Sequence, residues 1–283
     1  MAEYFTARGL PVPRELSTNP LTNWRRLLGI ALTLAVISVG LQITNIDISH
    51  ANPQFASRVV GQLFNWDTSI LTPQNEFETF WDTAEGLMIV TIFLGIIATA
   101  FAVVVALPLS FLGARNIMTG NPITAAVYVV VRVLFTIIRS IDVLIVVIVM
   151  AVLLGIGNAA GVIALAFHNV GVLGKLYSEA IEGIDPGPIE AITATGANRF
   201  QVIWTAVLPQ IVNPYISFTI YRLDTNIRLA PILGLVGGGG IGILLFQSIN
   251  LFKYGAAGLI IFMIVVIVAA MDFISAQVRK RLV

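Results

Sequence analysis

The sequence is 283 residues long, 57% hydrophobic and only 11% charged, with a formal net charge of +1. Soluble domains carry about a quarter of their residues charged, so this is an integral membrane chain, and its near-neutral balance argues against nucleic acid as a partner. It has no cysteine and only two, widely separated histidines, His50 and His168, which leaves no disulfide, no thiolate metal site and no His-rich zinc site.

A bilayer-spanning helix needs about 20 mostly apolar residues. Met1 to Asn23 is polar, and the first apolar run starts only after Trp24-Arg25-Arg26, which does not fit a cleavable signal. The first predicted span is Leu27 to Ile43. A long polar segment, Thr44 to Glu85, follows; it holds Asp47, Asp67, Glu76, Glu78, Asp82 and Glu85 against a single basic residue, Arg58. The second span, Gly86 to Leu112, ends at Gly113-Ala114-Arg115-Asn116. The third region, Ile123 to Ile156, is long for one span and contains Arg132, Arg139 and Asp142. Its first half reads as partly interfacial, its second half, Val143 to Ile156, as deeply embedded. Both arginines suit a side chain whose charge snorkels to water, and Arg139 and Asp142, three apart, are also placed to pair. Gly157-Asn158 turns the chain into a fourth span, Ala159 to Leu176. After a polar loop the fifth span covers Tyr215 to Val236, where Gly237-Gly238-Gly239-Gly240 interrupts it, and the sixth runs from Ala256 to Ile274, ahead of Arg279-Lys280-Arg281.

Positive charge marks the inner side of a membrane protein. Six spans place Arg25, Arg26, Arg115, Lys175, Arg199, Arg279, Lys280 and Arg281 together, and leave Arg58 and Lys253 opposite. Both termini and the polar loop between the fourth and fifth spans are therefore expected to be cytoplasmic.

That loop is built to be helical and wet. Asp185 is a helix cap, and Pro186 and Pro188 suit a first turn. Glu190 is expected in the same turn, where a carboxylate favours the positive end of the helix dipole. Gly196 is a natural helix stop. A second segment, Asn198 to Val207, is expected to end at Pro209. A helix–glycine–helix element between two apolar spans has to face water, which makes it either a capped surface helix or the seat of a partner protein.

Ionisable residues inside spans are rare and functional by default. Asp224 and Arg228, four apart in the fifth span, share a helix face; a structural ion pair and a role along a pathway are both open. His168, beside Asn169 in the fourth span, is more often a packed, hydrogen-bonded residue than a ligand. Six glycines lie between Gly234 and Gly242. Irregular backbone at membrane depth needs protein or a watery cavity to satisfy it, and glycine also lets helices approach closely, so this segment lines a path, hinges a gate or simply packs. Gly171-Val172-Leu173-Gly174-Lys175-Leu176 lacks the spacing of a phosphate-binding loop and follows a membrane helix rather than a strand. It reads as a close-packed helix end, and no nucleotide site is expected.

The loop reads Glu190-Ala191-Ile192, Thr193-Ala194-Thr195, Gly196, nine residues, then Ala206-Val207-Leu208-Pro209. It resembles the Glu-Ala-Ala, three residues, Gly, nine residues, Ile-x-Leu-Pro loop of ABC importer permeases, with Ile192 for the second Ala and Ala206 for the Ile. Four further stretches are similar to the phosphonate-importer permeases, a branch that also serves phosphite and related phosphorus oxyanions. They are Pro108 to Asn116, Phe167 to Lys175, Tyr221 to Arg228 and Leu233 to Gly237. One departure stands out: where that family usually has Arg-Ser-Ile-Pro-Glu, this chain has Arg139-Ser140-Ile141-Asp142-Val143, without the proline kink and without the glutamate.

The resemblance implies an all-α integral membrane fold with about six transmembrane helices, the type I ABC importer permease fold, in a bacterial inner membrane. It divides the chain into residues 1–85 (tail, first span and external segment), a permease core at 86–274 with the coupling loop at 181–213, and a cytoplasmic tail at 275–283. It implies an ATP-driven importer subunit with no catalytic residue, no metal and no cofactor of its own; ATP and Mg belong to a separate ATPase. Glu190, Ala191, Ile192, Gly196, Leu208 and Pro209 would couple to that ATPase. Its partners would be a second permease chain (a homodimer or a close paralogue), two ATPase subunits, an extracytoplasmic substrate-binding protein and membrane lipid. For an anionic cargo the pathway candidates are Arg222, Asp224, Asn226, Arg228, His168, Gly238 and Gly239, with Arg222 and Arg228 supplying positive potential. The alternatives are the same permease type for another solute, such as an amino acid, and a secondary transporter driven by an ion gradient through Asp224 and Arg228.

Overall fold

The computed structural model describes residues 7–9, 24–44, 52–73 and 79–280; Asp47, His50, Glu76, Glu78 and Arg281 lie outside them. The chain divides into two units, Met1–Ala56 and Ser57–Val283. In the first, α1 (Trp24–Thr44) is a single apolar helix whose described side chains are exposed along its length. Thr33 and Thr44 donate to the carbonyls of Gly29 and Gly40, one turn back, at 2.9 and 2.6 Å, so neither hydroxyl is left unpaired in an apolar surround. Helix α2 (Pro53–Leu63) lies across the division between the units. Its first amides, Gln54 and Phe55, are capped by Asn52 Oδ1.

After α2 the second unit continues through two 3-10 turns, Thr68–Leu71 and Phe80–Asp82. In the sequence this stretch reads as polar connection only. Thr83 accepts from the Gly86 amide at 3.3 Å and starts α3, Ala84–Leu112. One face of α3 is small: Ala84, Ala98, Ala102 and Ala106 are fully buried. A methyl group on Gly95 would come within 2.9 Å of Ile227. Small residues let membrane helices approach until backbones nearly touch.

The predicted third region is two helices, α4 (Pro122–Ser140) and α5 (Val143–Leu154). They break at Ile141-Asp142 although no proline is there. Asp142 takes an extended conformation, φ −63° and ψ 139°, and its Oδ1 accepts from the Leu144 amide at 2.8 Å. An N-capping aspartate starts a new helix and so ends the old one.

Both α4 and α5 pack on α6 (Asn158–Glu182), which runs beyond the expected end at Leu176. The stretch Gly171 to Leu176 therefore lies within a helix rather than at its end. Its glycines make a seat: a methyl on Gly174 would meet the Phe135 ring at 2.4 Å, and one on Gly171 would meet Ile138 at 2.6 Å.

After the loop helix α7 (Pro186–Ala194) comes α8 (Leu208–Leu235), which buries Ile211, Tyr215, Ile227, Ala230 and Leu233. The chain then bends through Val236 to Gly240, forms an unforeseen short helix α9 (Ile241–Asn250), and closes with α10 (Tyr254–Lys280). Helices α1, α3, α4, α6 and α10 are long and apolar enough to cross a membrane. The 28-residue α8 is the sixth long helix, set apart by its charges. No strand occurs among the described residues.

Candidate functional site

The loop between α6 and α8 is fixed at both ends. Asp185 Oδ1 accepts from the Gly187 amide at 2.9 Å, with Pro186 in the first turn as expected. Glu190 is not in that turn: α7 begins at Pro186, so Glu190 sits about one turn in, exposed and beyond the reach of the dipole end. Ala191 is also exposed and Ile192 half-buried. Gly196 ends the helix at φ +81°, its amide on the Thr193 carbonyl at 3.0 Å. A methyl group there would find nothing within 4 Å. The glycine is required by backbone conformation and not by space.

The chain restarts at Asn198, whose side chain accepts from the Gln201 amide while Gln201 Oε1 accepts from the Asn198 amide, at 2.9 and 2.8 Å. Contrary to expectation it does not stop at Pro209. Arg199–Val202 passes through a π-helical turn, Ile203–Val207, straight into α8. The Leu208 amide reaches back to the Ile203 carbonyl. Proline lacks an amide and its ring crowds the carbonyl one turn earlier; a widened turn accommodates both. Leu208 is half-buried and Pro209 exposed.

Gln210 then ties the two halves of the loop. Its Oε1 accepts from the Asp185 amide at 2.9 Å, and its Nε2 donates to the Ala206 and Asp185 carbonyls at 2.8 and 3.4 Å. The start of α7 is thus pinned to the start of α8. Ala206 and Val207 are buried, and Val207 joins the cluster of Leu173, Tyr177, Ile181, Ile211 and Tyr215.

The end of α6 is held as well. Arg132 does not simply snorkel: it meets Glu182 at 2.6 Å and Glu179 at 3.6 Å. Glu182 also accepts from the Arg115 amide at 2.8 Å, and Asn116 donates to the Ile181 carbonyl at 2.8 Å.

Deeper in the bundle the predicted polar residues separate into three groups. Arg228 is shared between two carboxylates, Asp224 at 3.4 Å and Asp272 at 2.5 Å. The face shared by Asp224 and Arg228 was foreseen; Asp272, the only acid of the sixth span, was not singled out, though an intramembrane carboxylate is a signal in itself. Asn226 donates to Thr99 at 2.8 Å. Arg222 forms the third group with Asn169, on α6. Its Nε donates to Asn169 Oδ1 at 2.9 Å and its Nη2 donates to the same oxygen. Asn169 is fully buried and Arg222 is 9% exposed. His168 is next to this pair, against the Ile141 carbonyl at the α4–α5 break, with Arg139 and Asp142 nearby. No ion pair joins Arg139 and Asp142 among the described residues; Asp142 Oδ1 instead caps the Leu144 amide.

Gly238 and Gly239 lie away from these groups, beyond the end of α8. The Gly238 amide bonds the Leu233 carbonyl at 2.8 Å; Asn158 Oδ1 accepts from Gly240 at 3.1 Å and Thr91 Oγ1 from Ile241 at 2.8 Å. A methyl on Gly239 would meet Asn158 Oδ1 at 2.0 Å, and one on Gly161 would meet the Gly238 carbonyl at 2.1 Å. Irregular backbone is satisfied here by neighbouring side chains and by close packing.

Residues 116–283 match the family described as the binding-protein-dependent transport system inner membrane component. The chain is 39% identical over 193 residues to the phosphate-import permease protein PhnE of Mycolicibacterium smegmatis, covering 68% of this chain and 36% of that protein, so it matches about a third of that relative's length. It is 39% identical over 194 residues to the phosphite transport system permease protein PtxC of Stutzerimonas stutzeri, covering 69% of each. It is 44% identical over 121 residues to the putative cryptic phosphonate transport system permease protein PhnE2 of Escherichia coli, covering 43% of this chain and 99% of that protein. Among solved structures, an inward-facing MetNI methionine ABC transporter chain superimposes with a TM-score of 0.59 at 23% identity, covering 69% of this chain and 94% of that one. At that identity the likeness speaks for the fold alone.

Proposed function

The chain belongs to the binding-protein-dependent transport system inner membrane component family and has the type I ABC importer permease fold; from that premise we propose that it is the membrane subunit of an ATP-driven importer of phosphorus oxyanions, such as phosphonate, phosphite or phosphate. The observation that carries this reading is the exposed, capped and glycine-stopped helix α7, clamped by Gln210 to the root of α8. An exposed helix tied to the most polar long helix of the bundle is suited to passing a push from a docked protein into the membrane. The phosphorus compounds are supported by the names of the relatives at 39% to 44% identity.

In this reading α7, with Glu190 and Gly196, docks an ATPase subunit on the cytoplasmic side, where both termini also lie. Two such chains form the permease, each with one ATPase, and an extracytoplasmic binding protein delivers the anion. ATP and Mg are used by the ATPase; this chain performs no covalent step. Closure of the two ATPases moves the α7 helices together, and the motion reaches the pathway through Asp185, Gln210 and α8. From Gln210 to Arg222 is about 18 Å along the helix. The anion biases the equilibrium between the two access states by binding one better than the other.

The test is reconstitution of the chain with an ATPase and a binding protein in proteoliposomes, following labelled methylphosphonate, phosphite and phosphate. ATP-dependent, binding-protein-dependent uptake of one of them is expected. Uptake driven by an ion gradient without ATP would favour a secondary carrier and overturn the reading.

A further inference from the structure

Arg222 is a buried cation of the bundle with no carboxylate partner among the described residues. Among the described residues no acid lies within ion-pairing distance of it, whereas Arg132 and Arg228 each meet two. Its only hydrogen-bond acceptor there is the neutral Asn169 amide oxygen, used twice. An arginine has five N–H groups in a fixed fork, so the outer part of the guanidinium is left undirected. The atoms around it are also unspent: Asn169 Nδ2 and His168 Nδ1 are buried without a partner. Arg139 adds positive charge to the same locality; Asp142 is the nearby carboxylate, its Oδ1 capping the Leu144 amide and no ion pair joining it to Arg222 among the described residues. A charge buried without a counterion is expensive, and a neutral amide alone does not offset it.

We propose that Arg222, braced by Asn169, forms an intramembrane binding site for a tetrahedral oxyanion in transit, with Asn169 Nδ2 and His168 as further contacts. This rests on the reading above and deepens it: the cation that meets the cargo is Arg222, while Arg228, already neutralised by Asp224 and Asp272, is a structural tie between α8 and α10. A guanidinium suits the role because its planar fork matches two oxygens of a phosphate-like anion at once. The site lies on α8, downstream of the Gln210 clamp, so a displacement of α7 acts directly on the helix that carries the charge.

The decisive substitution is Asn169→Asp, tested in the reconstituted complex with inorganic phosphate and methylphosphonate as probes. It is isosteric and converts the brace into a buried ion pair. Were the Arg222–Asn169 bond merely a tie between helices, the change would leave thermal stability equal or higher and uptake intact. In the proposed site it neutralises Arg222 and repels the anion, so uptake falls at least ~10-fold while the complex still assembles. Normal uptake by an assembled Asn169→Asp complex overturns the site and leaves the importer reading standing. If methylphosphonate, phosphite and phosphate are all left untransported by the unaltered complex, both fail. Should Asn169→Asp not assemble, the apolar pair Arg222→Met with Asn169→Leu carries the test: wild-type uptake by that double variant overturns the site, and loss of uptake in an assembled complex supports it.

Discussion

Gln210 holds Asp185 by both ends of its amide: Oε1 accepts from the Asp185 amide at 2.9 Å and Nε2 donates to the Asp185 carbonyl at 3.4 Å. The same nitrogen bonds the Ala206 carbonyl within the π turn at 2.8 Å. One side chain therefore sets the distance between the loop helix and the membrane helix that follows it.

If that clamp transmits motion, Gln210→Ala will leave the protein in the membrane and assembled but loosen α7 from α8. Each neutral hydrogen bond contributes about 0.5–1.5 kcal/mol, too little to unfold the bundle. Hydrolysis of ATP by the complex should become insensitive to the loaded binding protein. The ratio of stimulated to basal hydrolysis measures this, and a ratio equal to that of the unaltered complex would count against the clamp.

Glu190→Ala and Gly196→Leu address docking itself. Glu190 is exposed and makes no ion pair among the described residues, so its loss should not affect expression. A leucine at φ +81° costs about 1–2 kcal/mol of backbone strain in a solvated loop, enough to distort the end of α7 without unfolding the spans. Both variants should reach the membrane and lose ligand-stimulated ATP hydrolysis. Full stimulation in both would remove the coupling role from α7.

Arg228 and its two carboxylates behave as structure in this account. Arg228→Ala leaves Asp224, 8% exposed, facing Asp272 without the intervening cation. Because Arg228 itself is half exposed, a cost of only about 1–2 kcal/mol is expected, read as a lower yield of folded protein and a lower melting temperature. The double change Asp224→Asn with Arg228→Gln should recover much of the yield and keep uptake. A double variant that folds well and transports nothing would place Arg228 in the pathway after all.

The isolated chain should neither bind nor hydrolyse ATP. The glycines before Lys175 are occupied by Phe135 and Ile138 and have no room for a phosphate. Gly174→Ala should lower folded yield, since its methyl overlaps the Phe135 ring, and Phe135→Leu should partly restore it. Saturable ATP binding to the purified chain at about micromolar concentration would reveal a missed nucleotide site.

The long helices were legible because apolar length and its interruptions are written locally. The Asp185 cap, the Pro186 start and the Gly196 stop were legible for the same reason. What was not legible depended on partners distant in sequence. Asp142 looks like a candidate for Arg139, yet its Oδ1 caps the Leu144 amide, which supplies the helix break without proline, and no ion pair to Arg139 forms among the described residues. Arg132 finds Glu182 only because α4 lies along α6. Pro209 reads as a stop from propensity, and only the widened turn at Ile203–Val207 lets the helix pass it. Arg222 and Arg228 look alike along one helix; Asn169 and Asp272, on two other helices, make one an open cation and the other a closed ion pair.

The most direct measurement is uptake of labelled phosphate and methylphosphonate by proteoliposomes holding the permease, its ATPase and its binding protein. The account predicts accumulation that needs ATP and the binding protein together, is lost with Glu190→Ala, and falls at least ~10-fold with Asn169→Asp. Accumulation that proceeds without ATP, or is unchanged by Glu190→Ala, would contradict it.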